Sequence, residues 1–264
     1  MSEMHYHRPT TLADAAKQIG AHPDDRVLAG GQSILPSMRL GLMSTDGFVD
    51  LSGVAELQGI KVEGNSVRIG AMTTHAAVAA SKDVGGKIRA LALLAGDIGD
   101  RAVRNRGTVG GSLANSDPAA DYPAAVLGLG ATIHTNTRAI AADDYFKGLY
   151  ETALKAGELI TAVSFPAPER AAYVKFKQPA SRFALVGVFV AKTANGVRVA
   201  VTGAGACVFR AKALEDALNK KFAPESCDGV LISAAGLNSD LHGSAEYRAH
   251  LIPVLARRAV AAAV

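Results

Sequence analysis

Leu28-Ala29-Gly30-Gly31-Gln32-Ser33-Ile34-Leu35-Pro36 sets a glycine pair between two apolar stretches. Val27-Leu28-Ala29 has the length of a buried strand, and Ile34–Leu40 reads as a helix, so the pair sits in a strand–loop–helix unit. Adjacent glycines let a backbone turn sharply and let another group come close. Amide N–H groups in such a turn, and at the start of the helix behind it, can face an anion. Gln32 and Ser33 add side-chain donors. Taken alone, the segment fits a plain tight turn slightly better than a ligand site.

A second segment changes that balance. Gly107-Thr108-Val109-Gly110-Gly111-Ser112 repeats the pattern, a glycine pair flanked by hydroxyls. Two such loops could clamp the two phosphates of a dinucleotide. Neither is the GxGxxG fingerprint of a Rossmann unit. Gly203-Ala204-Gly205-Ala206-Cys207-Val208 begins like one but lacks the third glycine and follows a hairpin strand, so it reads as a structural turn. Downstream of the second pair, Asp117 before Pro118 predicts a helix cap with proline at the first position, opening a helix over 119–127. Asp121, one turn on, could reach a ribose hydroxyl, a flavin edge or solvent. The tract Asp97–Arg106 carries Arg101, Arg104 and Arg106, either a solvated self-paired face or a contact for cofactor phosphates or an acidic partner.

Around these loops the pattern is mixed α and β. Thr11 before Leu12, Ala15, Ala16 and Ile19 predicts a capped helix, ended by His22-Pro23-Asp24-Asp25. Phe48–Leu51 reads as a strand. Ile60–Val62 and Val67–Ile69 flank Gly64-Asn65, and Val186–Ala194 and Val197–Gly203 flank Asn195-Gly196, both hairpin signals. Helices are predicted after Thr74 and over 88–95, 211–220 and 247–262, the last kinked or interrupted at Pro253. Strands are predicted over 131–135 and 173–177. Pro166 and Pro168 mark a domain boundary. The fold class is α+β, with an antiparallel sheet and helices in the second part.

Composition narrows the function. The 264 residues are 49% hydrophobic and 20% charged, with formal net charge +4 and no long run of like charge. Only 5% are aromatic and none is tryptophan, which argues against a stacking platform for nucleic acid. Two cysteines, Cys207 and Cys227, are too few for an iron–sulfur cluster and read as a reduced intracellular pair. His5 and His7 read as edge-strand or tag-like histidines rather than metal ligands. No GxSxG, HExxH or GxxxxGK[ST] occurs, and no nucleophile or metal centre is visible. That pattern points to a cofactor carrying the chemistry. No secretion signal or membrane span is recognisable, and a cytoplasmic location is expected.

The two glycine loops together resemble those of the FAD-binding medium subunits of the molybdenum hydroxylases, the group that includes aerobic carbon monoxide dehydrogenase and xanthine dehydrogenase. Ala29–Ser33 resembles the family's AGGxS loop, and Thr108–Ser112 its TIGG-type loop with valine for isoleucine. Ser112–Asp121, Arg104-Asn105-Arg106-Gly107 and Phe176-Lys177-Gln178 are also family-like. The resemblance implies a two-subdomain FAD-binding domain over 1–168 (about 1–55 and 56–168), of the PCMH/vanillyl-alcohol-oxidase-like type, then a C-terminal domain over 169–264. It implies FAD contacts from Leu28, Ala29, Gly30, Gly31, Gln32, Ser33 and Ile34, and from Thr108, Val109, Gly110, Gly111 and Ser112. Ile98 would lie against the flavin ring. Asp121, Leu159 and Lys177 would make further contacts. No residue is assigned a catalytic acid, base or metal-binding role.

The resemblance also implies partners: a large subunit with the molybdenum cofactor and a small subunit with [2Fe–2S] clusters, in an (LMS)2 heterohexamer. Electrons would run through the clusters to this FAD and on to an external acceptor. Two other readings stand beside it: a stand-alone FAD-dependent reductase or oxidase of related fold, and a non-catalytic cofactor-binding assembly module. Valine at Gly110 or Gly111 is expected to abolish FAD retention by filling the cofactor's approach path.

Overall fold

The structure is a computed structural model that describes residues 4–22 and 24–264; Pro23, within the helix-ending tract read above, lies outside the described residues. The first segment runs β1 (His5–His7), α1 (Leu12–Ala21), β2 (Arg26–Leu28), α2 (Ile34–Arg39) and β3 (Gly47–Asp50). Its three strands form a parallel sheet with β3 in the middle, and all four β3 residues are buried. Thr11 caps α1 by accepting from the Asp14 N–H at 3.1 Å, as its sequence predicts. Ala15 and Ile19 turn from that helix into a small core with Val49, Leu51, Leu57 and Leu159.

The second segment comprises β4 (Ile60–Glu63), β5 (Ser66–Gly70), α3 (His75–Ala80), α4 (Lys82–Lys87), α5 (Arg89–Gly96), α6 (Arg101–Arg106), α7 (Val109–Asn115) and α8 (Tyr122–Leu129). It continues through β6 (Thr132–Thr135), β7 (Ala139–Ala141), α9 (Ala142–Tyr145), β8 (Phe146–Gly148), β9 (Glu151–Thr152) and β10 (Ile160–Pro166). Five of the strands make an antiparallel sheet in the order β4-β5-β10-β6-β7, while β8 and β9 form a separate ribbon. Helix α8 is buried along its whole length, so its apolar run shows no single face.

The third segment is an antiparallel sheet of β11 (Arg170–Lys177), β12 (Ala184–Thr193), β13 (Gly196–Thr202) and β14 (Phe209–Arg210), joined by α10 (Lys212–Lys220) and α11 (Ala245–Ala262). One face of β12, with Phe189 and Ala191, packs on the core of the second segment, and the other, with Val188 and Val190, packs on a core shared with α11. Arg248 is buried on α11 and donates to the carbonyls of Leu185 (2.8 Å) and Gly203 (2.9 Å) and to Asp240 Oδ2 (2.7 Å). Both cysteines are free thiols.

One sequence expectation needs correction and a second is narrowed. The helix predicted over 119–127 begins only at Tyr122, with Pro123 in its first turn. Asp117 instead closes a turn, its Oδ1 accepting from Ala119 N–H at 2.8 Å. The carbonyls of Pro118 and Ala120 are taken by the Thr202 hydroxyl at 2.9 and 2.7 Å, so they are committed to the neighbouring sheet. Helix α11, in turn, runs through Pro253 without interruption. The single amide that proline removes is offset by burial of Leu251, Ile252, Leu255 and Ala256 on one face.

Candidate functional site: two glycine loops around one cavity

The first glycine loop leaves the carboxyl end of β2, and the second opens α7. The segment Ala71–His75 runs beside the second loop: Val109 N–H donates to Thr73 O (3.1 Å), Gly110 N–H to Ala71 O (2.8 Å), and His75 N–H to Gly107 O (2.9 Å). The two loops meet directly. A Cβ built on Gly30 would collide with the carbonyl oxygen of Arg106 and stand 2.9 Å from Gly107 Cα. A Cβ at position 111 would lie 3.4 Å from Ala29 Cβ. Together they wall an open cavity of about 420 Å³.

The loops contribute differently. In the second, Val109 and Gly110 N–H are spent on the neighbouring segment, and Gly111 N–H on the capping Thr108 Oγ1 at 3.1 Å. In the first, the N–H groups of Gly30, Gly31, Gln32 and Ser33 have no hydrogen-bond partner among the described residues. The expectation that both loops aim free amides at an anion is thereby corrected: the first supplies the donors, the second a close wall. The reason for glycine at position 110 changes too. Its Cβ would meet Ala71 Cβ at 2.6 Å and Ala71 O at 2.9 Å, so the side-chain-free position seats the loop on its neighbour rather than clearing the cofactor's path.

Of the residues expected at the site, Ala29, Gly30, Gly31, Gln32, Ser33, Ile34, Ile98, Thr108, Gly110, Gly111, Ser112 and Asp121 line this cavity. Leu28, Val109, Leu159 and Lys177 do not. Val109 and Leu159 are core residues, with Ile160 taking the place on the cavity wall. Lys177 is an exposed side chain paired with Asp97.

Asp121 is the buried charge of the site. Its Oδ1 accepts from the Tyr173 hydroxyl at 2.5 Å, and its Oδ2 from Lys175 Nζ at 2.9 Å. The Lys175 side chain is 2% exposed and also donates to Asp97 O at 3.1 Å. Burial pushes the Asp121 carboxyl upward, while Lys175 and Tyr173 pull it back. Burial, then Asp121, holds the Tyr173 phenol far above its ordinary range, so it stays a donor. Lys175, which the sequence reading did not single out, is the lysine of β11 that pairs with Asp121.

His75 was also missed. It is buried on the cavity wall, with its ring 5.2 Å from that of Tyr122. Burial, reinforced by the Arg104 guanidinium, lowers its pKa to about 4. Its Nδ1 and the Tyr122 hydroxyl have no hydrogen-bond partner among the described residues. At the rim, Phe183 follows a tight turn in which Arg182 holds φ +62° and Gln178 Oε1 accepts from Ser181 N–H at 2.6 Å. Arg104 donates to the carbonyls of Ile98 (2.8 Å) and Gly99 (3.2 Å), fixing the backbone that carries Ile98.

A strand-end loop with unpaired amides, a second loop packed on it and a neutral apolar flank suit a phosphate-bearing aromatic cofactor better than a cleft for hydrolysis. The fold and this site define a cofactor-binding protein of the FAD type. Comparison with known proteins agrees. Residues 2–168 match the family described as FAD binding domain in molybdopterin dehydrogenase, and residues 171–263 match the CO dehydrogenase flavoprotein C-terminal domain. The chain is 36% identical to the nicotine 6-hydroxylase medium subunit of Paenarthrobacter nicotinovorans, over 97% of this chain and 95% of that protein. It is also 36% identical to the carbon monoxide dehydrogenase medium chain of Afipia carboxidovorans, over 97% and 94%. The structure superposes on a chain of reconstituted CO dehydrogenase from Oligotropha carboxidovorans with TM-score 0.90 and 33% identity, covering 98% of this chain and 96% of that one. The chain therefore belongs to the FAD-binding medium subunits of the molybdenum hydroxylases. It is an oxidoreductase subunit, and its cofactor is FAD.

Proposed function

We propose that the chain is the electron-transfer subunit of a molybdenum hydroxylase, taking electrons from [2Fe–2S] clusters on a small partner and passing them to an external acceptor. A large partner carries the molybdenum cofactor and chooses the substrate. The assembly is an (LMS)2 heterohexamer in the cytoplasm. FAD, when bound, supplies the one- and two-electron chemistry that no side chain here provides. The observation that carries the reading is the contact between Gly30 and the Arg106 carbonyl, which sets one loop's free amides beside the other's wall.

The residues of this chain hold and orient. The amides of Gly30 to Ser33 would take the pyrophosphate, with the Ser33 and Ser112 hydroxyls beside it. Ile98 and Phe183 would flank the flavin ring with apolar surface. Asp121, held by Lys175 and Tyr173, would present a fixed carboxylate rather than a mobile base. No side chain needs to transfer a proton to a substrate. The same reading divides the chain at 168/169, with the FAD-binding part split near residue 55. The parallel sheet β1-β3-β2 and the antiparallel sheet β4-β5-β10-β6-β7 support that split.

Co-expression with candidate large and small subunits tests this reading. The expected result is a co-purifying complex with one FAD per copy of this chain, and no substrate oxidation by the chain alone. Substrate turnover by the isolated chain would overturn it.

A further inference from the structure

We propose that His5, His22 and Asp25 bind a divalent first-row transition metal ion, zinc being the representative, at the opposite end of β2 from the Gly30-Gly31 turn. One donor atom from each residue lies within 4.8 Å of the other two. A tetrahedral zinc with bonds of about 2.0–2.1 Å places its ligands about 3.3 Å apart. Closing the site thus takes rotations of His5 and His22, both at least partly exposed.

A second observation points to a cation. The Asp25 side chain is 1% exposed, and its Oδ2 has no hydrogen-bond partner among the described residues. A buried carboxylate oxygen without a donor is costly, and buried charges are ordinarily paired or metal-bound. The nearest basic group, His5 Nδ1, is 3.8 Å from the other oxygen, too far for a hydrogen bond. Asp25 and His5 both sit close against Gly47, where a Cβ would meet Asp25 Oδ1 at 2.5 Å and His5 Cβ at 2.6 Å. The His7 ring stacks on His22 at 5.2 Å and 19°, which keeps that imidazole beside β1.

Two imidazoles and one carboxylate suit zinc or its neighbours, not calcium or magnesium, which take oxygen ligands. Water completes the fourth position. The ligands come from β1, the end of α1 and the turn before β2. An ion there ties the N-terminal strand to the strand that delivers the first glycine loop. This role is one of structure, separate from electron transfer, and gives the edge-strand His5 a further use.

The test uses the full chain stripped by a chelator. Zn²⁺ is titrated while the thermal midpoint is followed, and Co²⁺ while visible absorption is followed. The expected result is one equivalent bound, a raised midpoint and the intense absorption of low-coordinate cobalt. Asp25→Asn and His22→Gln should each weaken binding at least tenfold, while His250→Gln, exposed on α11, should leave it unchanged. Circular dichroism checks that each variant folds, and His5→Gln repeats the point should His22→Gln fail. Absence of saturable binding overturns the proposal. So does binding that survives Asp25→Asn, because surface imidazoles alone would then account for it.

Discussion

Gly30 is packed against the carbonyl of Arg106 so closely that no side chain fits between them. That contact brings together two loops 76 positions apart, both of which line the cavity. The glycine is required by the neighbouring loop, whether or not a cofactor is present.

Gly30→Val should therefore separate the loops and lower bound flavin at least tenfold. Overpacking of this kind also costs roughly 1–3 kcal/mol of stability. Gly20→Ala is the control: a Cβ there meets nothing, and a helical glycine-to-alanine change should be neutral or stabilising by up to about 1 kcal/mol. Flavin absorbance per protein measures both. A Gly30→Val protein with full flavin content would show that the contact is dispensable.

Lys175→Met should destabilise the protein by roughly 3–5 kcal/mol, the usual cost of leaving a buried partner charge uncompensated. Asp121 would keep only Tyr173. Adding Asp121→Asn should recover part of the loss, and Tyr173→Phe alone should cost about 1 kcal/mol. Chemical denaturation measures each. A single Lys175→Met variant within 1 kcal/mol of the parent would mean that the buried pair contributes little.

His75 makes stability depend on pH. In the unfolded chain it titrates near its ordinary 6.5, and in the folded chain near 4. Between those values the unfolded state binds more protons, so stability falls as pH falls through that window. The full contribution is present above it. The shift corresponds to a loss on the order of 3 kcal/mol. His75→Gln removes the titration, so the stability difference between parent and variant should shift by that amount between pH 7.5 and pH 4. A difference that stays constant would show that His75 does not titrate as its burial requires.

Much of the fold was legible because its signals are local. Gly64-Asn65 and Asn195-Gly196 marked hairpins that the structure contains, and Thr11 marked the start of α1. The glycine pairs marked the cavity walls. What was not legible depends on distant partners. Asp121 and Lys175 are 54 positions apart, and nothing near either residue says that they pair. The late start of α8 follows from Thr202, 82 positions from the Ala120 carbonyl it binds. That Asp25 Oδ2 has no donor among the described residues could not be read at all, because whether a carboxylate oxygen has a donor is decided by packing.

The central claim is that the two loops close on a diphosphate. The most direct measurement compares binding of FAD, riboflavin and ADP to the flavin-free chain by calorimetry. FAD should bind one to one, ADP should compete with it, and riboflavin should bind at least a hundredfold more weakly, a difference of about 2.7 kcal/mol. Riboflavin binding as tight as that of FAD, with no competition from ADP, would contradict the account.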